Sequence, residues 1–462
     1  MAIELAAFRS RALAIFGSIF AAALLQSCSF QPGSDSQFPC DAYEAITLTP
    51  LTSQSNQTVF ENPGTIIAIQ GTGTAIRNSG DGKPIKVQQT LQLPTYADQA
   101  LVFLNGWKLD YNGDDHHILA LGNAITEIHM DIKGHSLTWD ALGLLRDNDG
   151  KAYTWTYQYT VVAWNTVNLN LVVDQGAFPT QAPDCSTNNQ LPDNYFYSSN
   201  SGTSTALSCF FSFLQNSNFA SSKTVAILPR GFGFVWNDED HNLFQIGYNM
   251  EHSETIAQGR QYNKQGSQVQ APLPNAPNSH VDTGLVSWNP YTIFEDNNNR
   301  RDYTFVELVS GMAGNDVAVI QPPYSILPDN ADAPFLGIFS SCGEVGGQST
   351  NTNTYTIENI PYQYAVPMLT GWELEYLCSD KHVKDIGVWI DSWSYQPPAN
   401  GTLGVLTYKI SSILVDNDST HTHSSNYKVT VLGLGGASNG GGGTTTTKGR
   451  PIEVGHGPVK HR

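Results

Sequence analysis

Carboxylate and imidazole side chains stand side by side at three places in this chain: Asp114-Asp115-His116-His117, Glu239-Asp240-His241-Asn242 and Ser379-Asp380-Lys381-His382. Neutral imidazole and ionised carboxylate together can coordinate a transition metal or hydrogen-bond neighbouring hydroxyls of a sugar. Asp recurs at one shared position, but the His that follows it becomes Lys381 in the third copy. A protonated lysine is no ligand, which counts against a metal, and no Cys/His zinc spacing occurs. The expectation is no metal and no cofactor. Asp115, His116, His117, Asp240, His241, Asp380 and His382 are the ligand-binding candidates. The competing reading is mechanical: Asp fixes a turn by accepting backbone N–H groups, and His packs at a sheet edge.

Other chemistry is thinner. Asp147-Asn148-Asp149-Gly150 resembles part of a calcium loop, but no acidic residue follows to complete the oxygen ligands, so a plain turn is expected. Gly436-Ala437-Ser438-Asn439-Gly440 has the spacing of a nucleophile elbow, yet a Gly/Thr run follows where a helix is needed. No metalloprotease or phosphate-loop motif is present, and nothing selects a pair of carboxylates for glycoside hydrolysis. No catalytic residue is nominated. Trp107, Tyr111, Phe232, Trp236, Trp372 and Tyr376 alternate with polar residues, as core positions do. Tyr195-Phe196-Tyr197, Trp393 and Tyr395 read as loop aromatics, better suited to touch a ligand.

These residues sit inside an internal repeat. Gly106–Gly122, Gly231–Gly247 and Gly371–Gly387 align without a gap, each opening on Gly-aromatic and closing on Gly. A second signature follows each copy: Leu137-Thr138-Trp139 with Leu144 to Asp149, Val286-Ser287-Trp288 with Ile293 to Asn298, and Leu406-Thr407-Tyr408 with Ile413 to Asp418. An apolar run precedes each copy and reads as a strand. Period-two alternation through Trp107, Leu109 and Tyr111 reads as another. The second signature reads as a hairpin, with Asp147 to Gly150 turning Leu142–Leu145 back into Tyr153–Tyr157. The expected fold class is all-β, three tandem antiparallel β-sandwich modules from an internal triplication. The boundaries are 46–175, 176–320 with inserted loops, and 321–434, with a linker at 28–45 and a disordered Gly/Thr-rich tail at 435–462.

Charged residues make up 14% of the chain and the net charge is −18. With no basic patch, nucleic acid is excluded as a partner. Residues 1–27 read as a targeting segment: Arg9 and Arg11, then an apolar stretch from Ala12 too short to span a membrane as an ordinary helix. It ends in Leu25-Gln26-Ser27-Cys28, which resembles the lipobox of bacterial lipoproteins, with Gln26 in place of the usual small residue. The resemblance implies lipidation at Cys28. Ser29 is not the inner-membrane retention residue, which implies the outer membrane or cell surface. Such a compartment permits disulfides. Cys185 with Cys209, sharing one loop, and Cys342 with Cys378 are the candidate pairs, connectivity being underivable from sequence.

The module size, aromatic strands and threefold repetition resemble H-type lectins, which are trimers of small β-sandwiches that bind sugars. The likeness covers the module outline and transfers no site residue. It implies packing around a pseudo-threefold axis and a glycan ligand. The expected function is a non-catalytic binding or adhesion protein, its partner a glycan or a surface protein. A structural envelope protein is the alternative, and a polysaccharide-active hydrolase a third.

Overall fold

The alternation in Trp107-Lys108-Leu109-Asp110-Tyr111 folds as expected, with the apolar members buried and Lys108 and Asp110 half-buried on the opposite face. The structure is a computed structural model. It describes residues 48–78, 83–169, 171–181, 212–215, 224–250, 261–262, 268–269, 285–288, 290–298, 303–314, 317–320, 350–376, 379–399, 402–417 and 423–437. These form strands and no helix. In chain order they begin with β1 (Leu51–Asn62), β2 (Ile66–Arg77), β3 (Ile85–Gln92), β4 (Gln99–Tyr111), β5 (Ala120–Asp131), β6 (Ser136–Arg146) and β7 (Tyr153–Trp164). Next come β8 (Leu171–Gln181), β9 (Ser212–Gln215), β10 (Thr224–Trp236), β11 (Gln245–Met250), β12 (Gln261–Tyr262), β13 (Gln268–Val269), β14 (Leu285–Trp288), β15 (Pro290–Glu295) and β16 (Tyr303–Gly314). The last are β17 (Val317–Ile320), β18 (Thr350–Ile360), β19 (Tyr362–Tyr376), β20 (Asp385–Gln396), β21 (Gly404–Val415) and β22 (His423–Ala437).

Three large antiparallel sheets result, ordered β1-β2-β7-β4-β20-β21-β18, β3-β6-β5-β10-β16-β8 and β15-β11-β19-β22-β17. Two small ones pair β12 with β13 and β14 with β9. Each large sheet joins strands of two repeats. The first strand of each Gly-to-Gly segment pairs with the second strand of a neighbour: β10 with β5, β19 with β11, and β4 with β20. The order is cyclic, so the last repeat closes on the first.

The repeated glycines are the residues of these seams. A β-bulge precedes the opening glycine in all three copies, as register shifts at Leu104/Gly106, Pro229/Gly231 and Leu369/Gly371. A side chain on Gly106 would meet the Trp389 backbone at 2.8 Å, and one on Gly231 would meet Ala124 Cα at 2.7 Å. Two strands of different repeats approach too closely there for a Cβ. The bulged residues Asn105, Arg230 and Thr370 are buried and find polar partners. Asn105 Nδ2 donates to Pro367 O at 3.1 Å and Asn105 Oδ1 accepts from Leu369 N at 2.8 Å, a bond between repeats.

The turns differ from expectation. β6 and β7 flank Asp147–Gly150 but lie in different sheets, as do β15 with β16 and β21 with β22. The second signature is an arch between two sheets and not a hairpin. Gly150, at φ 68, helps turn the chain, and Lys151 N donates to Asp147 Oδ1 at 3.0 Å. The Gly-to-Gly segment is an arch of the same kind, from β4 to β5, β10 to β11 and β19 to β20. A tight hairpin would pair its two strands; here each strand takes a partner from another repeat instead. A module's strands therefore divide between two sheets, which face each other in the first repeat through contacts such as Trp139 against Tyr159, ring centroids 4.9 Å apart.

The six repeated aromatics are buried, as expected of core residues. Trp107, Phe232 and Trp372, one from each repeat, touch one another with centroids 4.9 to 5.2 Å apart. Burying a side chain of this size contributes roughly 1.5–3 kcal/mol. The described residues lie within one compact unit, Thr47–Arg462. β8 runs across the expected division at 175/176, and β22 carries ordered chain to Ala437, past the expected start of the tail at 435. Cys28, Cys185, Cys209, Cys342 and Cys378, the targeting segment, Tyr195 to Tyr197 and most of the Gly/Thr tail lie outside the described residues.

Candidate functional site

The three Asp/His turns come together. His116 N and O bond to Val383 O and N at 3.0 and 2.8 Å, Ile118 pairs likewise with His241 at 2.9 and 3.1 Å, and Leu243 with Lys381 at 2.8 and 2.9 Å. The segments 116–118, 241–243 and 381–383 thus form a closed collar of backbone hydrogen bonds, each segment held at both ends by a different neighbour. Local sequence makes each turn; only the cyclic strand exchange makes the collar.

Within it the conserved position of the alignment has a mechanical use. Asp240 accepts from Asn148 N and Asn148 Nδ2, both at 2.9 Å, and so fixes the second-signature arch of another repeat. Asp115 does the same for Asn417 N at 3.2 Å, with Asp114 accepting from Asn417 Nδ2 at 3.3 Å. No equivalent bond is made by Asp380 among the described residues. Removing such a cap leaves a backbone donor without its acceptor. Asp240→Ala is expected to lower stability by about 1–2 kcal/mol, read as a shifted urea midpoint. An unchanged midpoint would show that the bond contributes nothing.

The histidines divide into two kinds. His116 and His241 lie over an aromatic of their own repeat, Tyr111 and Trp236, with centroids 5.0 Å apart. Their Nδ1 atoms face Asp147 at 3.4 Å and Asp296 at 3.7 Å. His241 Nε2 also meets Asp238 Oδ1 at 3.0 Å. Burial alone would raise Asp238, but that histidine and nearby backbone amides outweigh it and hold the carboxyl below its usual range. Asp238, Glu239 and His241 offer ligand atoms within 4.8 Å of one another, yet both His241 nitrogens already face carboxylates. His117 and His382 are different. They are exposed at 41% and 45% and contact each other edge to face, centroids 4.5 Å apart.

A separate cleft of about 630 Å³ opens between the first and third repeats. Residues of β1 and β2, of the start of β19 and of the end of β20 line it. Phe60, Tyr364, Trp393 and Tyr395 line it together with the amides of Gln70 and Gln158. Trp393 and Tyr395, expected in a loop, are on strand β20. Trp393 Nε1 donates to Gln70 Oε1 at 2.8 Å, and Gln158 is held by Ile390 N and O at 3.1 and 2.7 Å. Aromatic faces beside fixed amides suit a ligand with an apolar face and a hydroxylated edge.

The sequence reading misses Phe60, Tyr364, Gln70 and Gln158, because each comes from an element outside the repeated signature. It also misses Asn242, although that residue occupies the aligned position of His117 and His382 and could have been found from the repeat. No protein-family model matches the chain, and a comparison with curated proteins finds no match either.

Proposed function

We propose that this chain is a non-catalytic carbohydrate-binding protein of the bacterial surface, built by triplication of a small β-sandwich module and anchored through a lipid on Cys28. The cleft between the first and third repeats supports this reading: Trp393 and Tyr395 of β20 line it together with Phe60, Tyr364 and the amides of Gln70 and Gln158. A glycan ring would stack on Trp393 or Tyr395 and place its hydroxyls on Gln70, Gln158 and the hydroxyl-rich strand β1. Among the described residues that line the cleft Asp391 is the one charged group, which favours a neutral sugar.

The test is a glycan array probed with the full chain, followed by titration of the best ligand. Trp393→Ala is expected to weaken binding about tenfold, the equivalent of about 1.4 kcal/mol. An array without a single bound glycan, or an affinity unmoved by Trp393→Ala and Tyr395→Ala, would sink the reading. The closed seams favour a second reading, a rigid envelope scaffold, which expects no saturable soluble ligand at all. Labelling of the cell-expressed chain with a fatty acid, lost on Cys28→Ala, tests the anchor.

A further inference from the structure

The middle residues of the three collar segments are His117, Asn242 and His382. Each is flanked by two residues whose backbone groups are tied to neighbouring repeats. The three side chains therefore spring from one small rigid ring, and the imidazoles of His117 and His382 meet there. The outer nitrogens are already oriented. His117 Nδ1 faces Asp240 Oδ1 at 3.5 Å, and His382 Nδ1 faces Asp115 Oδ1 at 3.6 Å. In both cases the carboxylate belongs to another repeat and is itself held by an asparagine of an arch. With a carboxylate on the Nδ1 side of each ring, Nε2 is the nitrogen left to face a ligand. Neither Nε2 makes a hydrogen bond among the described residues. Asn242 Oδ1 is the third feature: a buried side-chain oxygen with no hydrogen-bond partner. An unsatisfied buried acceptor is costly and calls for a ligand or water.

We propose that His117 Nε2, His382 Nε2 and Asn242 Oδ1 bind one divalent transition cation, of the zinc, cobalt or nickel class. Two imidazoles and one amide oxygen give three protein ligands, with water completing the shell. The exposure of both histidines gives the ion its way in. The Lys381 that removes an imidazole from the third copy stands one residue earlier in the alignment, at the place of His116 and His241, so it leaves this set intact. The site lies apart from the cleft and does not depend on a glycan ligand.

Calorimetric titration of zinc chloride into the chelator-treated full chain, near neutral pH, tests this. One site per chain at micromolar affinity is expected, weakened at least about tenfold by either His117→Gln or His382→Gln, as loss of a ligand requires. Cobalt should give the visible absorption of a low-coordinate site. Circular dichroism of these exposed substitutions checks that the fold is retained. Asn242→His supplies a gain: by the cyclic arrangement its imidazole would face Asp380, completing three carboxylate-backed histidines, and zinc should bind at least about tenfold tighter. No saturable heat at millimolar zinc, or binding unmoved by both glutamine substitutions, overturns the site. Unchanged affinity in a folded Asn242→His variant overturns the place of Asn242 in it.

Discussion

Trp107→Ala is expected to destabilise the whole chain by about 3–5 kcal/mol, the range for emptying a buried tryptophan site. Trp107 is 1% exposed and touches Phe232 and Trp372, the same position of the other two repeats. The cavity would open where three repeats meet, bounded by strands that cannot collapse without breaking the seams beside them. Trp107→Phe should cost much less. Phenylalanine already serves this position in the second repeat, and the indole N–H of Trp107 has no hydrogen-bond partner to lose. Chemical denaturation of the two variants gives both numbers. The pair Trp107→Ala and Trp372→Ala should be non-additive by about 0.5–3 kcal/mol, because the side chains share one contact. Additive losses, or a Trp107→Ala cost below about 1 kcal/mol, would mean the repeats do not depend on one another at this point.

Raising the pH from about 6.5 to about 8.5 is expected to destabilise the protein, and Glu373→Gln to remove most of that dependence. Glu373 is 1% exposed on β19, facing away from the aromatic contact. Burial raises its carboxyl from 4.5 to about 8, against the opposing effect of donors from Asn426 and Gln245. Glu375, two residues on, is raised by burial to about 7. A carboxyl with its folded pKa above the unfolded value holds a proton that the unfolded chain has released. Its stabilisation is complete below the unfolded pKa and is lost as pH rises through the folded one. For Glu373 this window runs from about 4.5 to about 8. His423 acts oppositely but lower down, because burial depresses it from 6.5 to about 4. Above about 6.5 the two glutamates therefore dominate. Glu373 alone accounts for a loss on the order of 2 kcal/mol. Denaturation midpoints across this range check it. A flat profile, or one unaltered in Glu373→Gln, would show that Glu373 is ionised throughout.

The same strand position shows why this was hidden in the sequence. Lys108 and Asp110 of β4 occupy the places of Glu373 and Glu375 in the alignment and are half-buried, with Lys108 Nζ 3.0 Å from Asp385 Oδ1. In the third repeat the matching partner is Gln245, whose Nε2 donates to Glu373. The repeat pattern tells which face each residue lies on. It does not tell which residue of another repeat will lie opposite, and that residue sets the charge balance of the seam.

The candidate site was legible to a similar degree. Asp115 and Asp240 were marked by their recurrence, and both are turn-fixing residues. The turn that each fixes belongs to a different repeat, at Asn417 and Asn148, a separation along the chain that no local pattern encodes. Asp, Asn and Gly between two β-rich runs serve a hairpin and an arch equally well, so the local sequence points to a hairpin where the chain forms an arch. What distinguishes them is whether the flanking strands pair with each other, a long-range outcome. The alternation of the six repeated aromatics places them in the core, and they are buried.

The sequence by itself determined that the described chain is β-structure, that two short signatures recur three times in it, and which face of each recurring strand is apolar. Those are consequences of period-two patterning and of turn chemistry, both local. Only the tertiary structure decided that the repeats share their sheets, that the motif glycines are seam residues, and that the segments carrying His117, Asn242 and His382 close into one collar. The physical reason is that a strand's unpaired edge is satisfied equally well by its own repeat or by a copy of it. The bulge before each glycine and the missing Cβ at the seam tip that choice, and both act only once the two strands have met.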